Sequence, residues 1–252
     1  MAILIAGGTV VNSTGTTTSD VLIDGERIVA VVDSASDYAQ SLRSSGCEIV
    51  DATDRLVIPG GVDVHVHLQL PMSPQATSAD TFETGSQAAA WGGTTTLIDF
   101  AGQIKGTGAI DAVEERLAEA DGQCAIDYGL HLSMGDVNDQ SLKEMRTLID
   151  EGLTSFKFYM AYPGAWYSDD GQILRAMQVA ADTGAMVMMH AENGIAIDVL
   201  RDQAAERGNT GSIWHGKTRP AVLEAEATHR AVALATVAGA PLYRSPVGRR
   251  GT

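Results

Sequence analysis

Hydrophobic and polar positions change rhythm at about residue 60. Upstream, short runs rich in β-branched residues (ILIAGGTVV, DVLIDGERIVAVV, CEIVDAT and RLVIP) are separated by Gly, Asp and Ser. That texture predicts short strands joined by turns, and IDGERI predicts a hairpin because a glycine turn divides two alternating segments. Residues 1–60 are therefore expected to be all-β. Downstream, apolar runs alternate with amphipathic ones. VDVHVHLQL is followed by ADTFETGSQAAAWG, TTTLIDF by AIDAVEERLAEA, IDYGLHLSM by NDQSLKEMRTLIDEG, and TSFKFYM by DDGQILRAMQVAADTG. AMVMMHAE then precedes a helical stretch near Ile195 to Arg207 and a second one, RPAVLEAEATHRAVALATVAG. Cap-like residues at Ser78, Asn138 and Ser168 or Asp169 mark helix starts, and Gly122, Gly152 and Gly184 mark ends. Strands alternating with helices at this spacing predict βαβ units and a parallel sheet. Five complete units are expected, with a sixth strand opening at PLYR before the pattern breaks in RSPVGRRGT.

Composition narrows the functional classes. A chain of 252 residues fits one large domain, or a domain with a small appendage. A formal net charge of −15 argues against nucleic acid and against an anionic membrane as partner. No apolar run approaches the roughly 20 residues of a transmembrane helix. MAILIAGGTVV lacks a basic n-region and is broken by Gly7 and Gly8, so it reads as strand and turn, not as a signal peptide. Cys47 and Cys124 match no metal or redox spacing, and a reduced, cytoplasmic protein is expected.

The candidate chemistry sits where apolar strands carry polar exceptions. His65 and His67 are alternate residues and project to one face of a strand, a good bidentate start for a divalent metal. An isolated pair reads equally well as two hydrogen-bonded histidines on a half-buried strand. Lys157 lies inside TSFKFYMAYPG, where a positive charge is costly. It reads either as an edge lysine reaching for solvent or as an anionic metal bridge formed by carboxylation. His190 ends the apolar run AMVMMHAEN. Together these residues fall at the C-terminal ends of parallel strands, the face on which α/β barrels build active sites. Elsewhere, His131 reads as a packed core histidine. Asp99 reads as a strand-end cap or as the partner of a metal-binding histidine. Arg219 and Glu226 read as loop-ordering residues, Met188 and Met189 as core, and Gly92–Gly93 as a helix-to-strand turn.

PGGVDVHVHLQLPM, AAAWGGTTTLIDF, TSFKFYMAYPG, VMMHAENG and HGKTRPAVLEAEATHRAVALA together resemble the hydantoinase/dihydropyrimidinase family of the amidohydrolase superfamily. The resemblance runs from Met1 to about Tyr243. Each motif alone is weak, and their order and spacing make the match specific. It implies an α/β fold: an incomplete TIM-like (β/α)8 metal-dependent hydrolase barrel with five to six strands over 61–252. Residues 1–60 would form the N-terminal part of a small β-sandwich domain. It also implies two divalent metal ions, usually zinc. His65 and His67 would bind the more buried ion, N6-carboxylated Lys157 would bridge both, and His190 would bind the second. Tyr162 would donate a hydrogen bond to the developing oxyanion, while Leu68 or Leu70, and Tyr159, would border the substrate substituent. The implied reaction opens a small cyclic amide, a dihydropyrimidine or hydantoin, to an N-carbamoyl amino acid. Members of that family are commonly homotetramers.

The family pattern continues past this chain. Its sixth strand carries a further metal histidine, and a later strand carries an aspartate that binds metal and shuttles the proton. PLYRSPVGRRGT has neither residue. The expectation is a C-terminally truncated member, as a frameshift or premature stop would leave, with an open and association-prone sheet, weak metal binding and doubtful turnover. The competing expectation is a non-catalytic remnant that acts through association.

Overall fold

The computed structural model describes residues 2–73 and 75–244. RSPVGRRGT falls outside these residues, apart from its first arginine. The chain divides into two compact units, Met1–Gly61 and Val62–Thr252.

The first unit contains β1 (Ile3–Asn12), β2 (Gly15–Asp24), β3 (Arg27–Asp33), α1 (Asp37–Arg43), β4 (Glu48–Asp51) and β5 (Leu56–Val57). The sheet order is β3-β2-β1-β4, with β5 also paired to β1. IDGERI forms the expected hairpin, Asp24 pairing with Arg27. Helix α1 departs from the all-β expectation. Its sequence, DYAQSLR, has no β-branched residue, and the Ser36 side chain caps it by accepting the Ala39 N–H. Buried Asp20 ties that helix to the sheet, accepting 2.8 Å bonds from Arg43 and further ones from Ser34 and the Gly7 amide.

The second unit, from Val62, takes in the rest of β6 (Gly61–Asp63) and a small hairpin of β7 (Pro71–Ser73) and β8 (Ala76–Thr77). It continues through α2 (Phe82–Trp91), β9 (Thr94–Gln103), α3 (Ala109–Ala120), β10 (Asp127–Met134), α4 (Asp139–Asp150) and β11 (Ser155–Tyr159). The remaining elements are α5 (Asp170–Thr183), β12 (Met186–His190), α6 (Gly194–Glu206), α7 (Ile213–Lys217), α8 (Ala221–Ala238) and β13 (Leu242–Arg244). Six parallel strands in the order β13-β12-β11-β10-β9-β6 form a half-barrel, so among the described residues the sheet is open. The expected five βα units and sixth strand are all present.

Strand alternation then sorts the side chains. Phe156 and Phe158 of β11, with Val187 and Met189 of β12, are fully buried against Ile173 and Met177 of α5. The intervening residues, Lys157 and Tyr159 beside Met188 and His190, are paired in register and face the other way. Packing the helices on one face is what leaves Lys157 and His190 on the face that holds the site.

Helix ends follow local chemistry. Asn138 and Asp169 cap α4 and α5, and Gly184 closes α5 at φ 77°, a left-handed conformation that suits glycine. Ser78 caps no helix; α2 starts from Thr81. The Ser78 hydroxyl instead accepts the Leu70 amide and donates to the His67 carbonyl. Asn138 Oδ1 accepts the Gln140 and Ser141 amides at 2.9 and 3.0 Å, and Ser141 Oγ returns a bond to the Asn138 amide. Asn138→Ala is expected to cost about 1 kcal/mol. The check is a lower denaturant midpoint at unchanged slope, and an unmoved midpoint would deny the cap this role.

Candidate functional site

Strand β6 ends at Asp63, so His65 and His67 sit on the irregular segment that follows it, not within a strand. The segment stays against β9, since the Val66 amide donates to Ile98 O at 3.3 Å, and Asp63 Oδ1 accepts the His65 amide. The two imidazoles still meet. Their centroids are 5.3 Å apart at 79°, and both lie on Phe100 of β9, at 4.7 and 4.8 Å. Lys157 reaches in from β11, placing Nζ 3.2 Å from His65 Nε2 and 4.6 Å from the Phe100 centroid.

Lys157 is only 4% exposed and has no carboxylate partner among the described residues. Burial pushes its pKa down to about 8. His65 and His67 are both held below the ordinary imidazole range, first by desolvation and then by the positive charge of Lys157. At neutral pH the trio is therefore two neutral imidazoles and an amine that gives up its proton readily.

His190 closes β12 on the same face. Its Nε2 lies 2.7 Å from Glu192 Oε2 and 3.4 Å from the Tyr162 hydroxyl. The bond from His190 keeps the Glu192 carboxyl below its usual range against the opposing effect of burial, and Arg219 and His215 add to the lowering. Tyr162 adopts φ 61°, a left-handed conformation that is strained for a non-glycine residue. Burial raises its hydroxyl pKa, and the Glu192 charge raises it further. The Tyr159 ring stacks on His190 at 5.8 Å, and its hydroxyl bonds to Ser133 Oγ at 3.2 Å.

His65, His67, Leu70, Lys157, Tyr159, Tyr162 and His190 all line one cavity of about 830 Å³, with Arg116, Ser133 and Trp166. Leu68 lies elsewhere, packed with Phe82, Leu97 and Ala120. His131 is a core histidine bonded to Val64 O and to Ser155. Asp99 pairs with Arg116 and not with a histidine. The sequence marks Glu192 only by its position two residues after His190. Among the described residues no group of three or more His, Cys, Asp or Glu could hold a metal ion.

Residues 56–217, which include His65, His67, Lys157, Tyr162 and His190, match the model of the amidohydrolase family. The chain belongs to the amidohydrolase family. This amidohydrolase is 53% identical over 240 residues to the D-hydantoinase of Streptomyces coelicolor, covering 95% of this chain and 51% of that protein. It is 43% identical over 244 residues to the D-hydantoinase of Geobacillus stearothermophilus, covering 96% and 50%. A solved dihydropyrimidinase from Brevibacillus agri aligns with a TM-score of 0.90 at 42% identity, over 97% of this chain and 51% of that one. The chain thus spans about half the length of the relatives it matches, and the expected incomplete TIM-like barrel is borne out. Amidohydrolases generally carry a binuclear metal centre.

Proposed function

We propose that this amidohydrolase binds divalent metal, zinc by preference, and acts in the hydrolytic opening of cyclic amides of the dihydropyrimidine or hydantoin class to N-carbamoyl amino acids. The observation that carries the reading is Lys157, a buried amine on parallel strand β11 with no counter-ion among the described residues, held 3.2 Å from a neutral imidazole. Left as an ammonium, it is expensive to bury. As a free amine it can add carbon dioxide and lose a proton, and the resulting carbamate replaces a positive charge with oxygen donors.

That donor set fits a metal. His65, His67 and carboxylated Lys157 would hold the first ion, with Lys157 also bridging to a second ion bound by His190. When bound, the metals supply Lewis-acid polarisation of the amide carbonyl and a water acidic enough to ionise near neutral pH. Tyr162, whose hydroxyl stays protonated, donates to the developing oxyanion. Leu70 and Tyr159, which border the cavity, contact the ring substituent in preference to Leu68. Ser133 fixes the Tyr159 ring by its hydroxyl. We read residues 1–60 as the N-terminal part of a small β-sandwich domain, in keeping with the compact unit that ends at Gly61. A cytoplasmic setting without nucleic-acid or membrane partners fits the two free cysteines and the net charge of −15.

The test loads chelator-treated protein with zinc, with and without bicarbonate. Bound metal and the ring opening of hydantoin and dihydrouracil are then measured. Bicarbonate-dependent zinc uptake and ring opening are expected. A folded, zinc-loaded sample without turnover would sink the hydrolase reading and favour a non-catalytic protein acting through association.

A further inference from the structure

Both backbone groups of Leu68, the residue directly after His67, meet one buried side-chain pair. Arg116 of α3 donates through Nη2 to the Leu68 carbonyl and, at 2.5 Å, to Asp99 Oδ2. The Leu68 amide faces the same Asp99 carboxylate. Arg116 Nη1 donates to Glu119, and the guanidinium lies 4.4 Å from the Phe82 centroid. Asp99, 1% exposed, also accepts the Phe100 amide at 2.7 Å. Helix α3, strand β9 and the histidine segment therefore converge on two side chains. One peptide away on either side stand His67 and Phe100, the ring on which both imidazoles rest.

We propose that Arg116 and Asp99 are a positioning pair that takes over from the β-ladder where β6 ends, fixing the peptide after His67 so that its imidazole faces His65 and Lys157. Stability alone is a poor explanation for the arrangement. A buried ion pair gains little over apolar residues of similar volume, and Arg116 Nε is buried with no hydrogen-bond partner among the described residues, which is a further cost. What the pair supplies is geometry: a planar donor group and a carboxylate presented to the carbonyl and amide of one residue. The consequence for metal binding rests on the reading of His65 and His67 as ligands; the placement of His67 does not.

Two readouts on the full chain test this with Arg116→Met and the double variant R116M/D99N, which leaves no unpaired buried charge if the single variant folds poorly. In metal-free protein, the side-chain NMR resonances of His67 are expected to move as the imidazole leaves the Phe100 ring, while those of His190 stay in place. A general loss of stability would not select between the two histidines. In cobalt titrations, affinity is expected to fall about 10- to 100-fold with a changed d–d spectrum, the size of effect seen when partners of metal ligands are removed. Variants that keep the wild-type His67 resonances and cobalt spectrum overturn the proposal. Wild-type protein that takes up no cobalt overturns the metal reading instead, and the His67 resonances then decide the positioning claim by themselves.

Discussion

Replacing Lys157 by methionine is expected to stabilise the metal-free chain and to abolish its metal uptake. These opposite effects have one cause. Burial lowers the Lys157 pKa from 10.5 to about 8. At pH 7 the amine is protonated in both folded and unfolded chains, so the folded state carries the full penalty of a desolvated ammonium. A shift of this size corresponds to roughly 3 kcal/mol. Between about pH 8 and 10.5 the unfolded chain holds the proton while the folded chain has lost it, so stability rises with pH across that window. Methionine matches the length of the lysine stem and keeps contact with the rings of Phe100 and Tyr159, without the charge. The variant should therefore unfold at higher denaturant at pH 7, by up to roughly 3 kcal/mol, and lose the rise above pH 8. Its zinc affinity should drop by at least about 100-fold, because loss of mere outer partners already costs 10- to 100-fold, and bicarbonate should no longer matter. Zinc binding at wild-type strength would remove Lys157 from the centre. A pH–stability profile parallel to the wild type would deny the buried-ammonium account.

Lys157 could be found in the sequence for the same reason that it matters. A charge inside SFKFY has no ordinary place in a parallel strand packed by helices, so the exception announces itself. His190 at the end of MVMMH is legible in the same way, and so are the βα units, whose caps and apolar runs are local signals. Local signals also explain the misses. The helix DYAQSLR stands between β-branched runs whose texture masks it, although its cap, Ser36, is an ordinary one. Ser78 has the composition of a helix cap, but its hydroxyl is claimed by Leu70 and His67, eight and eleven residues away. The Arg116 clamp joins residues separated by 17 and 48 positions, and no periodicity along α3 distinguishes that arginine from a solvated one. Leu68 and Leu70 share a strand face in an extended reading. Gln69, at φ 46°, breaks that alternation, sending Leu70 to the cavity and Leu68 to the core. What the chain encodes nearby could be read. What depends on distant segments meeting could not.

Gly194 belongs to the second class, and its replacement by alanine is expected to strain the arm of the site that carries Tyr162. Glycine at the first position of α6 looks like a weak helix start in sequence. In the fold it lets the helix approach the chain just before Tyr162. Its amide donates to Met160 O at 3.0 Å, and an added Cβ would stand 2.7 Å from Ala161 Cα and 3.0 Å from both Met160 O and Pro163 Cδ. None of these neighbours is the free end of a flexible side chain, so relief requires moving the helix or the backbone at 160–163. Overpacking of this kind costs about 1–3 kcal/mol, and the upper end applies because the obstacles are backbone and ring atoms. The displacement also falls on the arm of the site that holds Tyr162 in its strained conformation, 3.4 Å from His190. Gly194→Ala should therefore lower the denaturant midpoint and shift the His190 side-chain resonances, while those of His65, carried by a different segment, remain in place. Asn138→Ala, at a helix start remote from His190, should lower the midpoint without that shift. A Gly194→Ala protein with the wild-type midpoint and wild-type His190 signals would show that α6 has room to spare, and that the close approach at Ala161 does not set the geometry of Tyr162.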